Sequence, residues 1–140
     1  MNYDLAIIGY GYAPSRTAIT NKISSSGVVA SDTAGVGTVR GGLDCAAYGG
    51  DKAIFAYGDP ASTNLVSNTG VVAANVTSVG TYPREGIGAT NYGGDKAIFF
   101  AGSGTGVSNL VSNSGVVAAD VARVGSIRQN VTGAGYSFNA

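Results

Sequence analysis

The sequence predicts an all-β fold built from three tandem copies of one four-stranded unit, and three observations point to it. Short β-branched and aromatic runs alternate with Gly- and Asn-rich turns along all 140 residues, the pattern of many short strands tightly joined. The octapeptide Tyr48-Gly49-Gly50-Asp51-Lys52-Ala53-Ile54-Phe55 returns unchanged 44 residues later as Tyr92-Gly93-Gly94-Asp95-Lys96-Ala97-Ile98-Phe99. Arginines stand at Arg40, Arg84 and Arg128, and eight residues after each comes a tyrosine: Tyr48, Tyr92 and Tyr136. A period of this size marks a repeat architecture in which each unit covers its apolar face with the next. The chain therefore reads as a single repeat domain, 1–140, with units at approximately 4–48, 51–92 and 95–136.

Four strands are expected in each unit. Lys52 to Tyr57 is the first, apolar and aromatic, with a weaker copy opening the chain as Tyr3-Asp4-Leu5-Ala6-Ile7-Ile8. Asn64 to Ser67 and Val71 to Ala74 form a hairpin, because Asn68-Thr69-Gly70 supplies the positive-φ positions that a tight turn needs. The hairpin is echoed by Asn109 to Ala119 and by Asn21 to Ala30. The fourth strand follows Arg84 through Gly86, Ile87, Gly88 and Ala89, whose small side chains suit a place where backbones approach closely. The copies differ most in length at Gly9 to Thr20, Gly58 to Thr63 and Gly102 to Ser108, the mark of an exposed loop.

Composition narrows the function. Eight basic and eight acidic residues leave no net charge and no basic stripe, so nucleic acid is not expected as a partner. No apolar run reaches the roughly 18–20 residues of a membrane span, and Met1 to Tyr12 lacks a signal-peptide pattern. One cysteine, Cys45, reads as a small buried apolar residue, not as half of a disulfide. With no histidine, zinc sites, Ser-His-Asp triads and Cys-His dyads are out of reach. A glycosidase pair would have to come from scattered carboxylates, of which Asp4, Asp51 and Asp95 are repeat-equivalent and hence structural in character. No cofactor, metal site or enzymatic activity is expected.

Four-stranded units of about 40–50 residues are the blades of β-propellers. The chain resembles the kelch-type propeller repeat, in which an arginine opens the innermost strand and a Gly-rich apolar strand follows; Arg40, Arg84, Arg128 and Ala53 to Gly58 carry that likeness. It departs from kelch in placing Gly49-Gly50 and Gly93-Gly94 before the second strand and in having no tryptophan. The Asp-Lys-Ala-Ile-Phe and Ser-Asn-[Thr/Ser]-Gly-Val-Val-Ala segments are similar to Gly-rich repeat proteins of bacteriophage virions and tails.

Closed propellers hold about four to eight blades, so three units do not close. The chain opens at the apolar strand near Asp4 and ends after the strand that follows Arg128. Blades of kelch type would then leave the first without its innermost strand and the C-terminus with one to spare. A homodimer exchanging C-terminal strands, six blades in all, is the expected assembly. Arg40, Arg84 and Arg128 are expected to tie blades together through neighbouring backbone or through Asp4, Asp51 and Asp95, or else to line a channel that binds an anion or sugar. Tyr48, Tyr92 and Tyr136 are expected to pack between blades, or else to serve as sugar platforms. Three functions fit: a non-enzymatic structural or assembly module, a carbohydrate-binding (lectin-like) propeller with glycan as ligand, or an engineered repeat protein without one.

Overall fold

The computed structural model describes residues 4–137; Tyr3, in the opening copy of the apolar strand, lies outside them. Eight strands occur in chain order: β1 (Ala6–Gly9), β2 (Thr20–Ile23), β3 (Asp44–Tyr48), β4 (Lys52–Tyr57), β5 (Ser62–Val66), β6 (Gly88–Tyr92), β7 (Lys96–Phe100) and β8 (Ser108–Val111). There is no helix among the described residues. The strands form three antiparallel sheets, β1-β2, β3-β4-β5 and β6-β7-β8. Each three-stranded sheet opens with the strand at the end of the preceding sequence repeat, so units two and three of the structure begin at Asp44 and Gly88. The all-β class matches the reading of the sequence, but the sheets hold two or three strands where four are expected in each unit.

The registers of the two larger sheets are copies of each other. Asp44 pairs with Ala56 and Tyr48 with Lys52; 44 residues on, Gly88 pairs with Phe100 and Tyr92 with Lys96. Gly49-Gly50 and Gly93-Gly94 turn the chain between these strands, all four at positive φ, where a glycine escapes the Cβ–carbonyl clash that penalises other residues.

The expected hairpin partner Val71 to Ala74 is not a regular strand, and the reason repeats in every unit. It touches β5 at two isolated bridges, Val66↔Val72 and Thr63↔Val76. The chain advances three residues on one side and four on the other, which is a β-bulge. The same mismatch separates Ile23↔Val29 from Thr20↔Thr33, and Val111↔Val117 from Ser108↔Val121. A side chain restores the polar balance at each bulge: Asn21, Asn64 and Asn109 donate from Nδ2 to the carbonyls of Ala30, Ala73 and Ala118, at 3.1, 2.9 and 3.1 Å. The innermost strand is also displaced from expectation. It begins at Asp44 or Gly88, four residues past the arginine; Arg84 is spent on an isolated bridge to Gly58, just past β4, and Gly41, next to Arg40, on one to Asp59.

Two apolar cores lie between the sheets. Tyr48, Ile54, Ala56 and Tyr57 pack with Ile87, Ala89, Ala97, Phe99 and Val111, uniting units two and three. Between units one and two the buried set is smaller: Tyr10 and Ala18 with Phe55, Val66 and Val72. Among the described residues, sheet β1-β2 has no counterpart of β3 or β6 there. β3 lies against β6, and residues 131–135 run along the far side of β6, where a Cβ on Gly133 would meet Ala89 O at 2.8 Å.

Candidate functional site

The polar residues of the repeat converge on the junctions between units. Arg40 and Arg84 are fully buried. Each guanidinium lies over a tyrosine ring of its own unit, Arg40 over Tyr10 and Arg84 over Tyr57, with the carbon 4.1 Å from the ring centroid in both. Each tyrosine meets a phenylalanine of the following unit edge-on, Tyr10 with Phe55 at 5.1 Å and Tyr57 with Phe99 at 5.6 Å. The result is a cation, a phenol and a phenyl ring stacked through each junction, geometry in which the ring quadrupole offsets part of the lost hydration.

Hydrogen bonds offset part of the desolvation, although Nε of Arg40 and of Arg84 has no partner among the described residues. Arg84 donates to Val107 O at 3.1 Å, to Ala101 O at 3.4 Å and to Asn109 Oδ1. Arg40 donates to Thr38 O at 3.2 Å and Phe55 O at 3.5 Å; it does not reach Asn64, whose Oδ1 has no partner. Burial pulls both guanidinium pKa values down and pushes the Tyr10 and Tyr57 phenols up, while each arginine and its tyrosine favour the charged form of the other.

A second clamp crosses each junction at the surface. Asn75 accepts from the Thr38 amide at 3.2 Å and donates to Thr38 Oγ1 at 2.6 Å. At the next junction Asp120 accepts from the Thr81 amide at 3.0 Å and from Thr81 Oγ1 at 2.6 Å. The equivalent residues at the two ends of the chain are Asp32, which receives only Asn21 among the described residues, and Ser126, which is exposed.

The two junction clamps differ in ionisation, and acid should tell them apart. Thr81 Oγ1 chiefly holds the Asp120 carboxyl below its ordinary range, with Asn109, the Thr81 amide and Arg84 adding to it against some desolvation. A depressed folded pKa means stability that is complete above the unfolded value of about 3.9 and lost as pH falls through the folded one. Asp51 and Asp95, held down by Lys52 and Lys96, share this sign; Asp44, raised by burial, opposes it. Asp120→Asn copies Asn75 of the other junction. In urea titrations between about pH 6 and pH 2 it should lose less stability than the wild type does; equal losses would place the acid sensitivity elsewhere.

Of the residues singled out from sequence, Arg40 and Arg84 meet at junctions, whereas Arg128 is exposed. Its position in the pattern explains this: the residue aligned with Tyr10 and Tyr57 is Ala101, which shares their left-handed backbone at φ 60° against 63° and 67°. Of the two expected ties, Arg40 and Arg84 make the one to backbone carbonyls, and among the described residues no arginine pairs with Asp4, Asp51 or Asp95. Asp51 pairs with Lys52 at 2.6 Å and Asp95 with Lys96 at 2.9 Å, since the adjacent lysine reaches the carboxylate without any tertiary constraint; Asp4 is exposed. The tyrosines form a gradient. Tyr48 is 3% exposed, Tyr92 39% and Tyr136 97%. The Tyr48 ring lies over Gly115 of the next unit's hairpin, where a Cβ would stand 3.0 Å from ring atoms.

Tyr10, Tyr57 and the three bulge asparagines were not singled out from sequence. Asn21, Asn64 and Asn109 do recur in register, the signal that could have found them. No group of three or more Cys, Asp or Glu side chains is placed to hold a metal among the described residues.

One apolar groove of about 660 Å³ opens between units one and two. Leu5, Ala6 and Ile7 of the β1 edge form one wall, Cys45, Ala46 and Ala47 of β3 another, and Gly70 lies at its end. Burial pushes the Cys45 thiol up to about 11, so it carries almost no reactive thiolate at neutral pH. No protein-family model matches the chain, and no curated protein matches it in sequence.

Proposed function

We propose that the chain is a non-enzymatic assembly module whose three units are half of a six-bladed, kelch-like β-propeller, closed as a homodimer by exchange of C-terminal strands. The observation that carries this reading is the groove between β1 and β3. It lies where the other two sheets each have an inner strand, and it leaves a β-strand edge and an apolar wall open to water. The rigid stacks of arginine and aromatic rings through each junction suit a scaffold. The connections of unequal length expose Tyr12 to Ser15, Pro60, and Ser103 with Gly104, and these are the variable parts such a scaffold would display.

A lectin built on this repeat would need one open aromatic platform per unit. Tyr48 is covered by its neighbour, which favours the assembly reading.

Light scattering of the full chain tests it. A mass of twice 13.8 kDa is expected, falling to one chain on deletion of residues 127–140. A folded single chain at all concentrations, or a truncated chain that stays assembled, overturns the proposal.

A further inference from the structure

Each internal junction can be reduced to a set of paired positions, and the two ends of the chain hold the unpaired halves of that set. At the junction of units two and three the pairs are Tyr48 with Gly115, Thr81 with Asp120, Arg84 with Asn109, and Tyr57 with Phe99. Moving forward by one repeat from the first member of each pair gives Tyr92, Ser126, Arg128 and Ala101 on unit three. Moving back from the second members to unit one gives Gly27, Asp32, Asn21 and Ile8. Of these halves Ala101 is buried; the others are open to a partner. Tyr92 is 39% exposed and Ile8 49%, a Cβ on Gly27 would meet nothing within 4 Å, and Ser126, Arg128 and Asp32 are exposed.

The chemistry matches as well as the position. Ser126 offers an amide and a hydroxyl to the Asp32 carboxylate, as Thr81 does to Asp120. Arg128 offers a guanidinium to Asn21 Oδ1, as Arg84 does to Asn109. Tyr92 offers a ring to the bare backbone of the Gly27 turn, as Tyr48 does to Gly115.

We infer that unit three of one copy docks on unit one of a second copy in the register of the internal junctions, with residues 132–136 of the first entering the groove of the second. This rests on the self-assembly reading above and specifies its seam. The registers of β3-β4 and β6-β7 fix the pairing: Thr132 with Gly9, Gly133 with Ile8, Ala134 with Ile7, Gly135 with Ala6, and Tyr136 with Leu5 of the second copy. The incoming strand must be narrow, because it already runs against β6 on its other side. Gly133 and Gly135 meet that demand: Cβ atoms there would stand 2.8 Å from Ala89 O and from Asn91 Oδ1.

Tyr136, 97% exposed, then reaches the second copy's Gly70, the turn glycine equivalent to the one Tyr48 covers, and displaces the Lys22 side chain that lies against it. Cys45, on the groove wall, becomes buried. The seam is also the weakest junction of the ring. Ala101 and Ile8 stand where the internal junctions have a tyrosine and a phenylalanine, so Arg128 has no ring beneath it.

Two kinds of variant test the seam. In a Cys45→Ala background, the pairs Ala134→Cys with Ile7→Cys and Tyr136→Cys with Leu5→Cys bring Cα atoms within disulfide range, since directly opposed residues lie about 4.5–5.5 Å apart. They should give covalent dimers on oxidation. The pair Ala134→Cys with Ala6→Cys, shifted by one residue onto opposite faces, should not. Separately, Ala101→Tyr should tighten the dimer about tenfold by packing its ring on Ile8 of the second copy, while its face holds Arg128 of its own copy, at a position whose backbone already matches that of Tyr10 and Tyr57.

Registered cross-links together with a tighter Ala101→Tyr dimer are the expected result. A dimer that cross-links only in the shifted pair, or not at all, overturns the seam and leaves self-assembly standing. An unchanged dissociation constant for Ala101→Tyr also overturns it. A folded monomer under all conditions removes both.

Discussion

Arg84→Ala should lower the stability of the chain by about 4 kcal/mol, while Arg128→Ala at low protein concentration should change it by about 0.5 kcal/mol or less. The two residues are equivalent in the repeat, so the difference comes from surroundings alone. Arg84 has no exposed surface. Its removal empties a cavity the size of a long side chain, which costs about 2–5 kcal/mol in buried sites. It also strands Val107 O and Asn109 Oδ1, which lose a charged donor, and takes the cation from the Tyr57 face.

A domain of this size is stable by about 5–15 kcal/mol, so the variant should populate unfolded chain in mild urea. Arg84→Lys should recover little of this loss, because an ammonium has no planar fork to serve Val107 and Asn109 together and no flat face to lie on the ring. Tyrosine fluorescence in urea, at one fixed chain concentration because assembly couples to stability, measures both variants. Similar losses for Arg84→Ala and Arg128→Ala would mean that burial of the guanidinium is not what holds the junction.

The same comparison shows what the sequence made legible. The three units, the apolar strand Lys52 to Tyr57 and the turn at Gly70 follow from self-similarity and turn chemistry, which are local properties. The bulge does not. Asn64 looks like an ordinary strand residue until its side chain is seen holding the carbonyl that the ladder drops, and a period of two cannot register a single extra residue on one strand.

The arginines were visible but not their partners. Arg84 and Asp95 recur together at fixed spacing, which is what a pair would do. It is also what two independent pairs do, and Asp95 has Lys96 beside it. Tyr57 was hidden because its counterpart in unit three is Ala101; identity across copies cannot reveal a residue that one copy has lost. That loss is the more informative feature, since it separates the junctions inside the chain from the seam.

Asn109 supplies the second large effect. Its three polar groups are fully spoken for: Nδ2 donates to Ala118 O at 3.1 Å and to Asp120 Oδ1 at 2.9 Å, and Oδ1 accepts from Arg84. Asn109→Ala leaves a buried guanidinium N–H, a bulge carbonyl and a carboxylate each short of one partner. At about 1–3 kcal/mol for each unsatisfied buried group, with water able to relieve exposed Asp120, the loss should be about 3 kcal/mol. Asn64 is buried to the same degree and makes the same two donations, yet its Oδ1 accepts nothing. Asn64→Ala should therefore cost about 1–2 kcal/mol less than Asn109→Ala. Asn21, half-buried and without an arginine opposite it in its own chain, should cost least in the monomer.

A double-mutant cycle isolates the step that distinguishes the first two. Arg84→Ala and Asn109→Ala should couple by about 1.5–3 kcal/mol, the range for a hydrogen bond to a charged group. Arg40→Ala and Asn64→Ala should couple by less than about 0.5 kcal/mol. If the two cycles give equal couplings, the junctions are interchangeable, and the asymmetry between Arg40 and Arg84 has no energetic weight.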